Sequence, residues 1–213
     1  MNVVLGNKKL QIDKKELNGL VKCYDKVILD LGTGDGRFVY KSAIANPDFF
    51  YIGMDPSEKQ LLEYSKKAVR KKLPNVIFVV GSVENLPVEL VSSSQKIYIN
   101  LPWGSLLSNV VLPNKDVVKN ISELLAPDEE LEIVVGYHQD SEPSETERLS
   151  VPELSLDYIE KNLVPVYKKC GFTVKNIEQI NKGDLKKIET TWSKKLSFGK
   201  KRDIFRIVFR KTN

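Results

Sequence analysis

The segment Asp30-Leu31-Gly32-Thr33-Gly34-Asp35-Gly36 carries the strongest chemical signal in the chain. It follows an apolar run, Val27 to Leu31, and precedes a helical pattern from Arg37 to Ala45, so its glycines form a turn at the carboxyl end of a strand. Glycines there let a ligand approach the backbone, and the start of the next helix offers N–H groups. A dinucleotide fingerprint would need G-x-G-x-x-G, but position 37 is Arg. Asp30 would repel a pyrophosphate; it suits the cationic end of a cofactor that carries an amino acid. Asp55, closing a second strand, is placed to accept both hydroxyls of a ribose, and Glu84, after a third, can approach an adenine.

S-adenosylmethionine has such a cationic end, and S-adenosylhomocysteine would be its product. Other chemistries are poorly served. Cys23 and Cys170 are far apart in sequence and His138 is the single histidine, so neither a disulfide framework nor a Cys/His zinc site can be assembled and no metal is expected. One histidine in an acidic stretch is also a poor base for Ser-His-Asp chemistry. The two tryptophans, Trp103 and Trp192, suggest a different task. A nucleobase that reacts on its Watson–Crick edge must leave its stack, and aromatic faces can hold it at about 1–3 kcal/mol per stacked base. Buried core packing is the competing reading for each indole.

Alternating strands and helices must position these residues. Beyond Val27–Leu31, strands are predicted at Phe49–Met54, Val76–Val80, Lys96–Asn100, Leu131–Tyr137, Phe172–Ile177 and Ile204–Phe209, with helices at 37–45, 57–72, 114–125 and 154–170. This rhythm gives an α/β fold with a mostly parallel seven-stranded sheet, its last strand antiparallel, flanked by helices. Residues 1–13 read as an N-terminal β-hairpin around Gly6-Asn7, capping the sheet. Residues 138–153 read as an acidic loop or insert, and 182–203 as a basic connection carrying Trp192. The length of 213 residues and 41% hydrophobic content fit one domain, 1–213. No apolar stretch is long enough for a membrane span and the start lacks an export signal, so a cytoplasmic protein without membrane contact is expected.

Charge falls in blocks. The net charge is +5, yet Glu123 to Glu160 holds twelve acids against one base, Arg148. Basic residues concentrate at Lys66, Lys67, Arg70, Lys71 and Lys72, and in a tail with Lys194, Lys195, Lys200, Lys201, Arg202 and Arg206. Each cluster alone reads equally as a solvated surface; together they favour a polyanion such as nucleic acid.

The acid followed by G-x-G-x-G resembles the first motif of the class I S-adenosylmethionine-dependent methyltransferases, which have a Rossmann-like fold. The segments Leu101-Pro102-Trp103-Gly104-Ser105-Leu106-Leu107 and Trp192 to Arg202, with Gly53–Pro56 and Glu84–Leu90, are similar to the aminoglycoside-resistance 16S rRNA adenine-N1 methyltransferases of the kanamycin and apramycin type. The likeness spans essentially the whole chain. It implies a 30S subunit as substrate, methylated through its 16S rRNA at N1 of adenine 1408 by an enzyme acting as a monomer. It also implies that Trp103 and Trp192 sandwich the flipped adenine, with carbonyls around Pro102 beside it. Asp30, Gly32, Thr33, Gly34, Asp55, Pro56, Glu84 and Leu101 would then hold the cofactor. Lys66, Lys67, Arg70, Lys71, Arg148 and the tail cations would meet RNA, although a local ion pair is an equal reading for Arg148. Adenine N1 already has a lone pair, so the reaction needs no catalytic base and draws on proximity and orientation. Asn100-Leu101-Pro102-Trp103 is also close to the motif of enzymes that methylate the exocyclic amine. An adenine-N6 rRNA methyltransferase, a tRNA or small-molecule methyltransferase and a non-catalytic rRNA-binding protein therefore stand as alternatives.

Overall fold

The computed structural model of the chain describes residues 1–137, 143–191, 193–194 and 203–212. Strands β1 (Asn2–Leu5) and β2 (Lys8–Gln11) form the predicted hairpin, with Gly6 in the left-handed region (φ 63°) turning the chain. It does more than cap the sheet. β1 pairs antiparallel with β5 (Val76–Val80) and extends the sheet outward. The remaining strands are β3 (Lys26–Leu31), β4 (Phe49–Asp55), β6 (Ser94–Asn100), β7 (Leu125–Val135), β8 (Phe172–Ile180) and β9 (Ile204–Lys211). Their order is β2-β1-β5-β4-β3-β6-β7-β9-β8. β5, β4, β3, β6 and β7 are parallel, and β9 runs antiparallel between β7 and β8. The expected seven-stranded sheet is thus nine-stranded, the hairpin supplying the other two.

The helices are α1 (Lys14–Val21), α2 (Arg37–Ala45), α3 (Glu58–Lys71), α4 (Gly104–Val111), α5 (Lys115–Leu124), α6 (Pro143–Leu149), α7 (Leu156–Tyr158), α8 (Val164–Lys169) and α9 (Lys182–Lys187). α1, not among the helices predicted from sequence, starts at a reciprocal capping box formed by Asp13 and Glu16. α6 falls inside the stretch expected as a loop or insert. Between α7 and α8, Ile159–Leu163 wind as a π-helix just before Pro165, a residue with no N–H to donate to a regular ladder. No helix among the described residues is long and apolar enough to cross a membrane.

Side-chain alternation divides the core. Val27, Leu29 and Leu31 of β3 face a layer containing Leu17 of α1, Val110 of α4, Ile121 of α5 and Tyr167 of α8. Ile28 faces the opposite layer, where Val39 and Ala43 of α2 and Leu61, Tyr64 and Ala68 of α3 pack on Tyr51 and Phe78. Each fully buried Leu, Ile or Phe contributes about 1.5–3 kcal/mol relative to exposure. On the β6-β7-β9-β8 half of the sheet, the face in phase with Ile28 carries a charged network. Lys96 contacts Glu130 and Glu132 at 3.0 and 3.2 Å, and Arg206 lies 3.2 Å from Glu132 and 2.9 Å from Glu178. Burial disfavours the Lys96 ammonium, but the two glutamates hold its pKa above the usual lysine value.

Candidate active site

β3 is the strand at which the sheet order turns back, and a cleft of about 570 Å³ opens where its end meets the ends of β4 and β6. Asp30, Gly32, Thr33, Gly34, Asp55, Pro56, Glu84, Leu101 and Trp103, all expected from sequence, line it together. Asp35, Gln60, Ser105, Thr190 and Thr191 also line it and were not singled out.

The glycine turn is pinned to β4 by Gly32 and Thr33, whose N–H groups donate to the Met54 carbonyl at 2.9 and 3.0 Å. A Cβ on Gly36 (φ 80°) would fall 2.4 Å from the Phe78 ring, so a side chain there would displace the helix start from the sheet. The turn's donors are turned inward: Gly34 N–H donates to Asp55 Oδ2 (2.9 Å), Gly36 N–H to the Thr33 carbonyl (3.1 Å) and Arg37 N–H to Asp35 Oδ1 (3.0 Å). These three donors are thus engaged within the protein, while α2 begins after Gly36 without a side-chain cap.

Two carboxylates dominate the cleft floor. Asp30 is 1% exposed, and burial pushes its pKa up to about 7, opposed by the Thr33 side chain and by the hydrogen bond from Asn100 Nδ2 to its Oδ1 (3.1 Å). Among the described residues no cation pairs with it. Asp55 is also raised by burial, opposed by N–H donors from Ser57 (2.8 Å to Oδ1) and Gly34. Each Asp55 oxygen accepts one backbone donor and keeps lone-pair capacity for another. Glu84 Oε1 accepts from Asn109 Nδ2 of α4 (2.8 Å), while Asn120 Nδ2 of α5 donates to the Val83 carbonyl (2.9 Å), fixing this wall to two helices.

The other wall starts at Leu101, buried and in the left-handed region (φ 51°), which turns the chain sharply after β6. Such a backbone costs about 1–3 kcal/mol in a non-glycine residue and marks a point where the surroundings impose the conformation. Leu101 packs with Val134, Ile180, Leu185, Ile188 and Ile204 in a small core of its own. That core joins the chain on either side of α9 to the strand end. Trp103, which precedes α4, is 39% exposed at the cleft and is not a core residue. Pro102 is buried between Leu101 and Trp103 and is not among the residues that line the cleft. Thr191 Oγ1 donates to Asp35 Oδ2 (2.6 Å), and Glu189 lies 3.7 Å from Arg37, whose guanidinium also donates to Tyr64 Oη (2.7 Å). These contacts bring the chain next to Trp192 onto the glycine turn. Trp192 itself, with Lys195, Lys200, Lys201 and Arg202, lies outside the described residues.

The basic residues are dispersed around this frame. Lys66, Arg70 and Lys71 are exposed on α3, whereas Lys67 pairs with Glu63 (2.6 Å) and lies 4.0 Å above the Tyr64 ring. The hairpin is fastened to the same helix: Gly6 N–H donates to Ser65 Oγ (2.7 Å), which donates to the Val4 carbonyl (2.8 Å). Lys194 is exposed, 3.9 Å from Glu189. Arg148 occupies the last turn of α6, which packs against α4. Arg206 is half-buried between Glu132 and Glu178 in the sheet network and does not line the cleft. No group of three or more possible metal ligands occurs among the described residues.

S-adenosylmethionine fits this donor set. A buried carboxylate without a cationic partner among the described residues suits an ammonium, and a carboxylate with spare lone pairs suits a diol. The profile of the NpmA-type 16S rRNA (adenine(1408)-N(1))-methyltransferases matches residues 2–210. A curated Escherichia coli protein of that name is 35% identical over 212 residues, 97% of each chain. The crystal structure of the aminoglycoside resistance methyltransferase NpmB1 is 37% identical with a TM-score of 0.86 over the whole of both chains. A tryptophan-to-alanine variant of the enzyme from Catenulisporales acidiphilia, solved with its cosubstrate SAM, superposes with a TM-score of 0.91 at 27% identity, covering 100% of this chain and 97% of that one. With its switch-point cleft, its paired carboxylates and a match from end to end, the chain belongs to the 16S rRNA (adenine(1408)-N(1))-methyltransferase family.

Proposed function

We propose that this chain methylates N1 of adenine 1408 in the 16S rRNA of the 30S subunit, using S-adenosylmethionine, and thereby confers aminoglycoside resistance. One observation carries the reading: in a chain of this family, the donor-shaped cleft has an exposed indole, Trp103, at its open side. When bound, the cofactor supplies an electrophilic sulfonium methyl. Asp30 receives the ammonium, Asp55 the ribose hydroxyls, and Glu84 with Ser105 borders the adenine. Trp103 stacks on the extruded target base, and Trp192, from the adjoining segment, closes the other face. N1 attacks with its own lone pair, so these residues place atoms and move no proton before attack.

Docking falls to Lys66, Arg70 and Lys71 on α3 and to the cations near Trp192, with Arg148 beside α4; phosphates are their partners. All of these groups belong to one chain, which acts as a monomer. Methylation would add bulk and charge at the aminoglycoside site. The test is primer extension through the decoding site of 30S subunits treated with enzyme and cofactor, since N1 methylation blocks base pairing. A stop at adenine 1408 supports the reading. A full-length transcript would overturn it.

A further inference from the structure

We propose that Asn100 is a positioning residue for the methyl donor: its side-chain amide orients Asp30 and keeps that carboxylate ionised for the donor's ammonium. The inference rests on the reading above that the donor's amino-acid end meets Asp30.

The geometry follows from register. In the parallel β3/β6 pair Asp30 is opposite Tyr98, so Asn100, two residues on, projects from the same face one pleat further along. Asn100 is 9% exposed, and its Nδ2 reaches back 3.1 Å to Asp30 Oδ1. The left-handed turn at Leu101 begins immediately afterwards, and Leu101 N–H donates to the Val134 carbonyl at 2.7 Å, which anchors the backbone next to Asn100 on β7. Charges facing Asp30 all work against its ionisation: Asp55 on β4, Asp35 in the glycine turn, and burial itself. Tyr98, the β6 neighbour, is a half-buried phenol whose pKa is raised by burial, and it adds no positive charge. The Asn100 amide, with the Thr33 side chain in the glycine turn, therefore supplies the hydrogen bonding that favours the ionised form of a carboxylate otherwise facing acids and apolar surroundings.

The decisive experiment is calorimetric titration of the full chain between pH 6 and pH 9 with two probes. One is S-adenosylmethionine; the other is 5′-methylthioadenosine, which keeps the nucleoside and sulfur but lacks the amino-acid end. The wild type is expected to bind S-adenosylmethionine more tightly as pH rises from 6 to about 7, and more weakly again once the donor's own α-ammonium loses its proton at about pH 8, with 5′-methylthioadenosine insensitive to pH. Asn100→Leu should weaken S-adenosylmethionine about tenfold at pH 7, the scale of one hydrogen bond to a charged group. Its pH midpoint should move upward, while 5′-methylthioadenosine stays within about twofold by the same reckoning. Asn100→Asp, of the same shape, should weaken S-adenosylmethionine further and spare the second probe; it decides the matter if the leucine variant fails to melt cooperatively. Wild-type affinity and an unmoved midpoint in these variants would overturn the proposal, as would equal loss of both probes in a cooperatively folded variant. A wild type that binds neither probe would instead remove the donor-site reading beneath it.

Discussion

On the donor side of the cleft, Asp30, Asp55 and the glycine turn sit at the ends of parallel strands buried on both faces, and each is held by backbone or amide hydrogen bonds between 2.8 and 3.1 Å. On the target side, Trp103 stands exposed at the head of a two-turn helix, and the chain at 188–191 is joined to the glycine turn through Thr191–Asp35 and to α2 through Glu189–Arg37. The contrast assigns different work to the two walls. The sheet presents the carboxylates and the glycine turn already arranged, whereas the proposed base pocket draws on Trp103 before α4 and on the chain that follows α9. Changes on the donor side should therefore act on cofactor affinity, and changes on the target side on transfer.

The largest expected effect is on the target side. Trp103→Ala should lower methyl transfer about 100-fold, the upper end of the stacking range, while S-adenosylmethionine affinity changes less than about twofold. Parallel turnover and calorimetry on one preparation would check this, and comparable losses in both would erase the distinction between the walls. Asp55→Ala should do the reverse, weakening the cofactor about 30-fold by removing two ribose hydrogen bonds, with 30S binding unchanged in a filter-binding assay. A double reversal, Lys66→Glu with Lys71→Glu, should weaken 30S binding about tenfold or more and flatten its salt dependence, leaving cofactor affinity intact. Lys67→Glu should act less, because Lys67 is already engaged by Glu63 and Tyr64. Thr191→Val, which removes one hydrogen bond to Asp35, should slow transfer about fivefold.

The smallest effect is on stability. Asp30 has a folded-state pKa of about 7, above its value of 3.8 in an unfolded chain. The protonated form thus stabilises the fold fully below about pH 3.8, and that contribution is lost as pH rises to about 7. Asp30→Asn should accordingly raise the melting temperature of the cofactor-free protein by roughly 5–10 °C at pH 8 and by much less at pH 5. Thermal melts of both proteins at both pH values would show it.

The donor wall was legible in sequence because its chemistry is local. An apolar run, a glycine turn and an acid at a strand end each carry their own signal, and Arg37–Ala45 and Val76–Val80 fall where periodicity puts them. Features that depend on the partner strand were not legible. The pairing of β1 with β5 is set by an edge that only the folded sheet exposes. Leu125–Glu130 joins β7 despite Pro127 and three acids, because Leu125 finds Ser94 across an irregular register. Arg206 reads as part of a basic tail, yet β9 places it between Glu132 and Glu178, so part of the acidic block serves the sheet. Thr191 had no signal at all, since its partner Asp35 is 156 positions away.

The central claim is that a donor bound at the ends of β3, β4 and β6 faces a base held by Trp103. Nucleoside mass spectrometry of 16S rRNA from purified 30S subunits, incubated with cofactor and either the wild type or Trp103→Ala, tests it most directly. The account predicts 1-methyladenosine, mapped to adenine 1408, with the wild type and almost none with the variant. N6-methyladenosine in its place, or equal yields from the two proteins, would contradict it.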